Sequence, residues 1–260
     1  MLYLLGTGVP VVVSERNDPN RHPESKVKRI LRCLIYPFAD GFIFQTKDAS
    51  RYFSHAIQKR GTVLDNPLDT TRIPERHTGE RKRTVVAAGR LHEQKNFDLL
   101  IRAFARFYKT HHDYSLIIYG EGPEKEKLHK LASSLGISGA VELAGQSKTL
   151  LEDINDSGMF VLSSDYEGMP NVLIEAMACG LPCIATDCPI GGVRSLVTSG
   201  ENGLLIPVGD EDALHDAMVK LADDGSYATW LGQHAAAIRN RLDENVVAKE
   251  WLNYLDRVAK

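Results

Sequence analysis

No apolar run in this chain approaches the roughly 18 to 20 residues that a membrane-spanning helix needs. Cysteine is scarce: the four present, Cys33, Cys179, Cys183 and Cys188, fit no zinc-ligand spacing. The nine histidines form no metal-ligand pairing either. Formal charge balances to −3, so composition gives no sign of a nucleic-acid partner. Basic residues do gather between Arg51 and Arg83, and the simplest reading of that run is a solvated face. There is no internal repeat and no low-complexity segment. The stretch Met1 to Val13 is apolar but lacks a basic leader, and Glu15 and Arg16 follow, so it reads as a strand with its lead-in, not a signal peptide. What is there is the balance of an ordinary globular protein: 260 residues, 43% hydrophobic and 25% charged, enough for one large domain or two small ones. Cys179 and Cys183 lie in apolar context and read as small core residues, which makes a reducing cytoplasm the economical location.

From Thr84 onward short β-branched runs alternate with helical segments, the pattern of a parallel sheet with crossover helices. Strands are expected at Thr84–Ala88, Ser115–Tyr119, Val141–Leu143, Met159–Leu162, Pro182–Ala185 and Gly203–Ile206. Leu100, Ala103, Phe104 and Phe107 keep i, i+3, i+4, i+7 spacing, so the helix between the first two strands packs one face on the sheet. Residues 1–60 differ. They offer strands at Val11–Val13 and Gly41–Phe44, with helices over Lys26–Tyr36 and Asp48–Gln58. Two such units are too few for a stable sheet, and Leu64-Asp65-Asn66-Pro67-Leu68-Asp69 reads as a linker.

The richest stretch runs from Ser163 to Gly180. An apolar strand breaks into a loop, and then into a short helix with Pro170 in its first turn and Gly180 as its stop. Such a helix presents the N–H groups of Asn171, Val172 and Leu173 to phosphate oxygens. Glu167 lies just before the helix and Glu175 about one turn inside it, and carboxylates accept hydrogen bonds from sugar hydroxyls. The arrangement suits a ligand that is half phosphate and half polyol. A capping carboxylate and an exposed mid-helix charge would leave the same trace separately. Arg90 and Lys95, five residues apart across a strand-to-helix turn, could together meet one diphosphate, or be two surface cations.

Two Glu seven residues apart around Gly168-Met169-Pro170 resemble the signature of the retaining GT-B glycosyltransferases of family GT4. Val85-Val86-Ala87-Ala88-Gly89-Arg90-Leu91 with Lys95-Asn96, then Ile117–Pro123, Val141–Gly145 and Asn202–Pro207, fall in family order, so the resemblance covers about residues 62–210. It implies an α/β fold: a Rossmann-like parallel sheet with helices on both faces as donor domain (62–240), preceded by a partial N-terminal Rossmann-like piece (1–61), the remnant of an acceptor domain. A C-terminal helix (241–260) would pack back on that piece. It also implies transfer of a hexose or N-acetylhexosamine from a nucleotide diphosphate sugar, most often UDP-linked, with retention, in capsule, exopolysaccharide or lipopolysaccharide assembly. Arg90, Lys95 and Glu167 would be catalytic, and Glu175 would hold the ribose. Gly168, Met169, Pro170, Asn171, Val172 and Leu173 would meet sugar and phosphate, with Gly120 and Gly145 near the base. No cofactor and no metal are expected, because the two cations replace one.

Glu15, Arg16 and His92 are expected to face the cleft. The implied partners are a nucleotide sugar and a glycan or lipid-linked acceptor at the inner face of the plasma membrane, with peripheral membrane contact and no nucleic acid. A partner chain or dimer would cover the N-terminal piece, which is shorter than the family's acceptor domain. Hence the alternative of a nucleotide-sugar-binding module that does not turn over alone.

Overall fold

The structure, a computed structural model, describes residues 7–260. The apolar start expected to lead into the first strand falls partly on 1–6, outside the described residues. Two parallel sheets organise the rest. The smaller contains β1 (Val12–Glu15), β2 (Gly41–Phe44) and β3 (Gly61–Val63) in that order. Around it lie α1 (Lys26–Ile35), α2 (Lys47–Arg51) and α3 (His55–Lys59). The third strand, too short and glycine-led to read from sequence, turns two βα units into a sheet. The single helix expected over Asp48–Gln58 is two helices. The break lets Phe53 turn into a cluster with Tyr36 and Phe44, at 5.8 and 5.5 Å between ring centroids.

The larger sheet contains β4 (Lys82–Ala88), β5 (Ser115–Tyr119), β6 (Val141–Gly145), β7 (Ser157–Leu162), β8 (Cys183–Thr186) and β9 (Leu204–Ile206), ordered β6-β5-β4-β7-β8-β9 and parallel throughout. Alternation along a strand buried on both sides sends Val85 and Ala87 to one core and Val86 and Ala88 to the other. The first core is closed by α4 (Phe97–Phe107), α5 (Lys125–Ser134), α8 (Glu211–Asp223) and α9 (Gly225–Ala235). The second is closed by α6 (Leu150–Ile154), α7 (Asn171–Ala178) and α10 (Ile238–Leu242). Cys179, Cys183 and Cys188 are fully buried there, and burial pushes the Cys179 and Cys188 thiols up to about 11 and about 12.

The last helix, α11 (Glu244–Ala259), crosses to the smaller sheet, where Tyr254 packs with Ile43 and Leu64. Its hydroxyl accepts from the Phe42 amide at 2.6 Å and donates to the Arg60 carbonyl at 2.5 Å. The basic run is not uniformly solvated: Arg81 donates to the carbonyls of Asn155, Ser157 and Gly180, tying β4 to β7 and to the end of α7.

Candidate functional site

The chain leaves β4 toward β5 and β6 on one side, then returns to β7 and proceeds to β8 and β9 on the other. The carboxyl ends of β4 and β7 therefore flank the point where strand order reverses, the position at which open α/β sheets bind ligands. Both sequence-predicted loops start there: 89–96 after β4 and 163–170 after β7.

Polar bonds stitch the two loops together. The Gln94 side chain donates to the Tyr166 carbonyl at 2.8 Å, and the Gln94 carbonyl accepts from the Asp165 amide at 2.9 Å. Ser163 donates to the Lys95 carbonyl at 2.8 Å. Asn96 adopts the left-handed conformation that its short amide tolerates (φ 45°), so its side chain both caps α4 and donates to Asp165 at 2.8 Å. This scaffold brings the Lys95 ammonium to 2.6 Å from Glu167 Oε1, with the two side chains only 16% and 10% exposed. Ser164 donates to the same carboxylate oxygen at 2.8 Å.

A second set of bonds fixes the turn at 168–170. Gln45 accepts from the Met169 amide at 3.0 Å and donates to Asn66 Oδ1 at 2.8 Å. Asn66 Nδ2 in turn donates to the Met169 carbonyl at 3.0 Å and to Asn171 Oδ1 at 2.6 Å. Asn66 is 3% exposed, so the segment that reads as a linker is a built part of the site. Space is as tight as the bonding: a Cβ at Gly192 would sit 1.4 Å from the Gly168 carbonyl oxygen.

The result is an open cleft of about 630 Å³ lined by Arg16, Gln45, Asn66, Arg90, Lys95 and Glu167, with the 168–172 backbone as floor. It adjoins a hollow of about 390 Å³ lined by Tyr119, Gly120, Leu150, Glu175 and others. The two share Gly89, Arg90, Asn171 and Val172. Arg90 is exposed at their junction, and the amides of Asn171 and Val172 begin α7 without a backbone partner. Glu175 is half-buried, and burial raises its carboxyl above the ordinary value against a smaller opposing pull from Arg72. One hollow thus combines cations with a carboxylate. The other offers an aromatic ring, a leucine and a second carboxylate.

Residues 69–238 match the family model described as glycosyl transferases group 1. The chain belongs to that family. It is 34% identical over 223 residues to an exopolysaccharide phosphotransferase of Streptomyces coelicolor, covering 84% of this chain and 23% of that protein. It is 29% identical over 267 residues to N-acetylgalactosamine-N,N'-diacetylbacillosaminyl-diphospho-undecaprenol 4-alpha-N-acetylgalactosaminyltransferase of Campylobacter jejuni, covering 98% of this chain and 72% of that one. Anabaena HepE, solved in complex with UDP-glucose, superimposes with a TM-score of 0.88 at 20% identity over 98% of this chain and 74% of that chain. The architecture is the α/β GT-B arrangement, with parallel sheets and helices on both faces.

In this group 1 glycosyl transferase chain the structure gathers Arg90, Lys95, Glu167, Glu175, Gly120 and Gly168 to Val172 around the joined hollows, with Arg16 lining the larger one beside Gly168. It does not gather the rest. Glu15 points the other way and accepts from the Tyr36 hydroxyl, beside Arg32 at 3.7 Å, because it sits on the helix-facing side of β1. His92 lines a separate depression of about 260 Å³ with Glu93, Asp98, Glu124 and Lys127. Leu173 has no free amide: its N–H bonds the Pro170 carbonyl at 3.1 Å, for Pro170 is the cap outside the helix and not its first residue. Gly145 lies behind the site, its carbonyl accepting from the Gly120 amide at 2.7 Å. The one Asp-x-Asp triplet, Asp210-Glu211-Asp212, is committed to structure, with Asp210 capping α8 and Asp212 paired to Arg106. Sequence reasoning missed Gln45 and Asn66, whose only trace is an amide side chain at the end of a strand and before a proline.

Proposed function

We propose that this chain transfers a hexose or N-acetylhexosamine from a UDP-linked sugar to a glycan or lipid-linked acceptor with retention, in surface polysaccharide or lipopolysaccharide biosynthesis. One observation carries the reading: Arg90, Lys95 and the free amides of Asn171 and Val172 converge between two carboxylates, Glu167 on one side and Glu175 on the other. That is a diphosphate seat with a polyol site at each end. Names of relatives support it, among them the Campylobacter N-acetylgalactosaminyltransferase and a Rhizobium meliloti lipopolysaccharide core glycosyltransferase.

In the reaction the bond between the sugar C1 and the terminal phosphate oxygen breaks, leaving an additional negative charge on the nucleoside diphosphate. Arg90, Lys95 and the α7 amides stabilise that charge from fixed positions. The acceptor oxygen bonds to C1 on the face the phosphate leaves, and its proton passes to the departing phosphate oxygen. Glu167 orients the sugar hydroxyls and Glu175 the ribose.

Calorimetric titration of UDP-glucose and UDP-N-acetylglucosamine tests the site. Arg90→Ala and Glu175→Ala should each weaken binding by at least tenfold, the loss of a charge-assisted contact of about 1.5–3 kcal/mol. Unchanged affinity in both variants sinks the assignment. A second reading, a nucleotide-sugar-binding module completed by another chain, is favoured by β1, which has no partner on its outer edge among the described residues. Donor binding without hydrolysis or transfer to any lipid-linked acceptor would select it.

A further inference from the structure

Among the described residues, two that are not glycine have a left-handed backbone: Asn96 and Ile190. Asn96 tolerates it through its short amide. Ile190 does not: at φ 65° and ψ 2° its branched Cβ crowds the carbonyl oxygen that follows. Gly191 comes next with φ 73°, so the two residues occupy the backbone form that Asn-Gly adopts readily. Local preference therefore does not set this turn. A strained backbone of this kind persists only where its surroundings hold it.

The hold comes from the smaller sheet. Thr46, two residues past β2, donates its hydroxyl proton to the Ile190 carbonyl at 2.5 Å. The same oxygen accepts from the Ala49 amide at 2.9 Å and so caps α2. A hydroxyl can do both at once, as one donor with two lone pairs. Residues 189–191 pack against α2, where Arg194 pairs with Asp187 at 2.8 Å and lies 4.0 Å from Asp48.

The two ends of the 186–192 loop bracket Glu167. At one end Thr186 Oγ1 and Cys188 Sγ both donate to the Ser164 carbonyl, at 2.5 and 3.2 Å. Ser164 in turn donates its hydroxyl to Glu167. At the other end Gly192 lies so close to the Gly168 carbonyl that no side chain would fit between them. Thr46 and residues 186–192 line neither hollow, so they can act on a ligand only through what they hold.

We propose that Thr46 and Ile190 are positioning residues for the transferred sugar. The Thr46 hydroxyl keeps the 186–192 loop in its strained form, and that form fixes Ser164 and Gly168 on either side of Glu167. Without the hydroxyl, Ile190 relaxes to an ordinary backbone region and draws Gly192 off the Gly168 carbonyl. The smaller sheet thus sets the carboxylate by a route separate from the direct bonds of Gln45 and Asn66 to the 168–170 turn. That Glu167 meets the sugar rests on the transferase reading above; the strained coupling does not.

Substitutions of the full chain test the proposal. The near-isosteric Thr46→Val removes the donor and should weaken UDP-glucose binding roughly two- to tenfold, the weight of one hydrogen bond. Amide exchange at Met169, followed by NMR without any sugar, should quicken by a similar factor. Thr46→Ser keeps the hydroxyl and should restore both. Ile190→Asn added to Thr46→Val should also return most of the affinity and the protection, because Asn holds the left-handed form unaided. Ile190→Val in the same background keeps the branched Cβ and should restore nothing. The cap lost from α2 is common to all three valine-46 proteins, so recovery with Asn alone separates positioning from a general loss of structure. Wild-type affinity and exchange in Thr46→Val, or no recovery on adding Ile190→Asn, would overturn the assignment. Failure of the wild type to bind UDP-glucose, with the exchange pattern as expected, would count against the donor site and leave the coupling standing.

Discussion

The Lys95–Glu167 pair separates what holds the cleft together from what holds the donor. Its side chains are 16% and 10% exposed at 2.6 Å, so neither charge is well hydrated. Breaking a buried pair by removing one partner costs about 3–5 kcal/mol. Here the carboxylate keeps the Ser164 hydroxyl and borders open cleft, which puts Lys95→Met near about 2–3 kcal/mol. Glu167→Gln should cost less, about 1 kcal/mol, because a lysine stem can swing its ammonium into the cleft. The double variant leaves no unpaired charge and should lie within about 1 kcal/mol of wild type, a coupling of about 2 kcal/mol. Urea unfolding of the four proteins measures it. Donor binding should behave otherwise: Lys95→Met should lose roughly 10- to 150-fold in UDP-sugar affinity and the double variant at least as much. The phosphate contact of about 1.5–3 kcal/mol is absent from both, and the double variant also alters the carboxylate facing the sugar. Strictly additive stability losses would refute the coupling. Recovery of donor affinity in the double variant would show that Lys95 acts only through Glu167.

Two further outcomes follow from single positions. Burial raises the Glu175 carboxyl, so the folded protein holds that proton more tightly than the unfolded chain does. Its contribution is favourable below the ordinary carboxylate value, about pH 4, and is lost as pH rises through the raised value. Glu175→Gln should therefore melt above wild type at pH 7, match it near pH 4, and bind UDP-sugars more weakly; a lower melting temperature at pH 7 would contradict the burial argument. Gly120 has φ +140° and a Cβ there would lie 1.8 Å from the Gly89 carbonyl oxygen, so Gly120→Ala should destabilise by several kcal/mol through forced separation of β4 and β5 ends. Wild-type stability of that variant by urea unfolding would show that the close approach is dispensable.

The larger sheet was legible because its central strands β4, β7 and β8 are buried on both faces and write apolar runs; Ser115–Tyr119 coincides with its expected bounds and the others shift by one or two residues at their ends. The loops after β4 and β7 were legible as loops because each lies between an apolar strand and a helical pattern, and the structure brings them together at the ends of those strands. The smaller sheet was harder: β3 has three residues, and the break at Tyr52-Phe53-Ser54 depends on an aromatic pocket built by Tyr36 and Phe44, distant in sequence. Glu15 and His92 went wrong for a common reason. Proximity along the chain to Arg16 and Lys95 says nothing about which side of a strand end or turn a side chain leaves from, and both leave from the far side.

Gln45 and Asn66 failed to register because neither belongs to the two loops that the sequence pattern singles out. Both also lie outside the 69–238 span of the family model. Yet the Gly168-Met169-Pro170 turn takes its amide partner from Gln45 and its carbonyl partner from Asn66, both outside the larger sheet's own loops. The smaller sheet that carries Gln45 is in turn held by Tyr254 of α11, which returns from the far end of the chain. Order in the 168–170 turn therefore depends on contacts formed by residues near both ends of the described chain. A chain cut at residue 61 would keep Arg90, Lys95, Glu167, Glu175 and Asn66 and lose the Gln45 oxygen that pairs the Met169 amide. The two sheets are one site in energetic terms, although only the larger one carries Arg90, Lys95, Glu167 and Glu175.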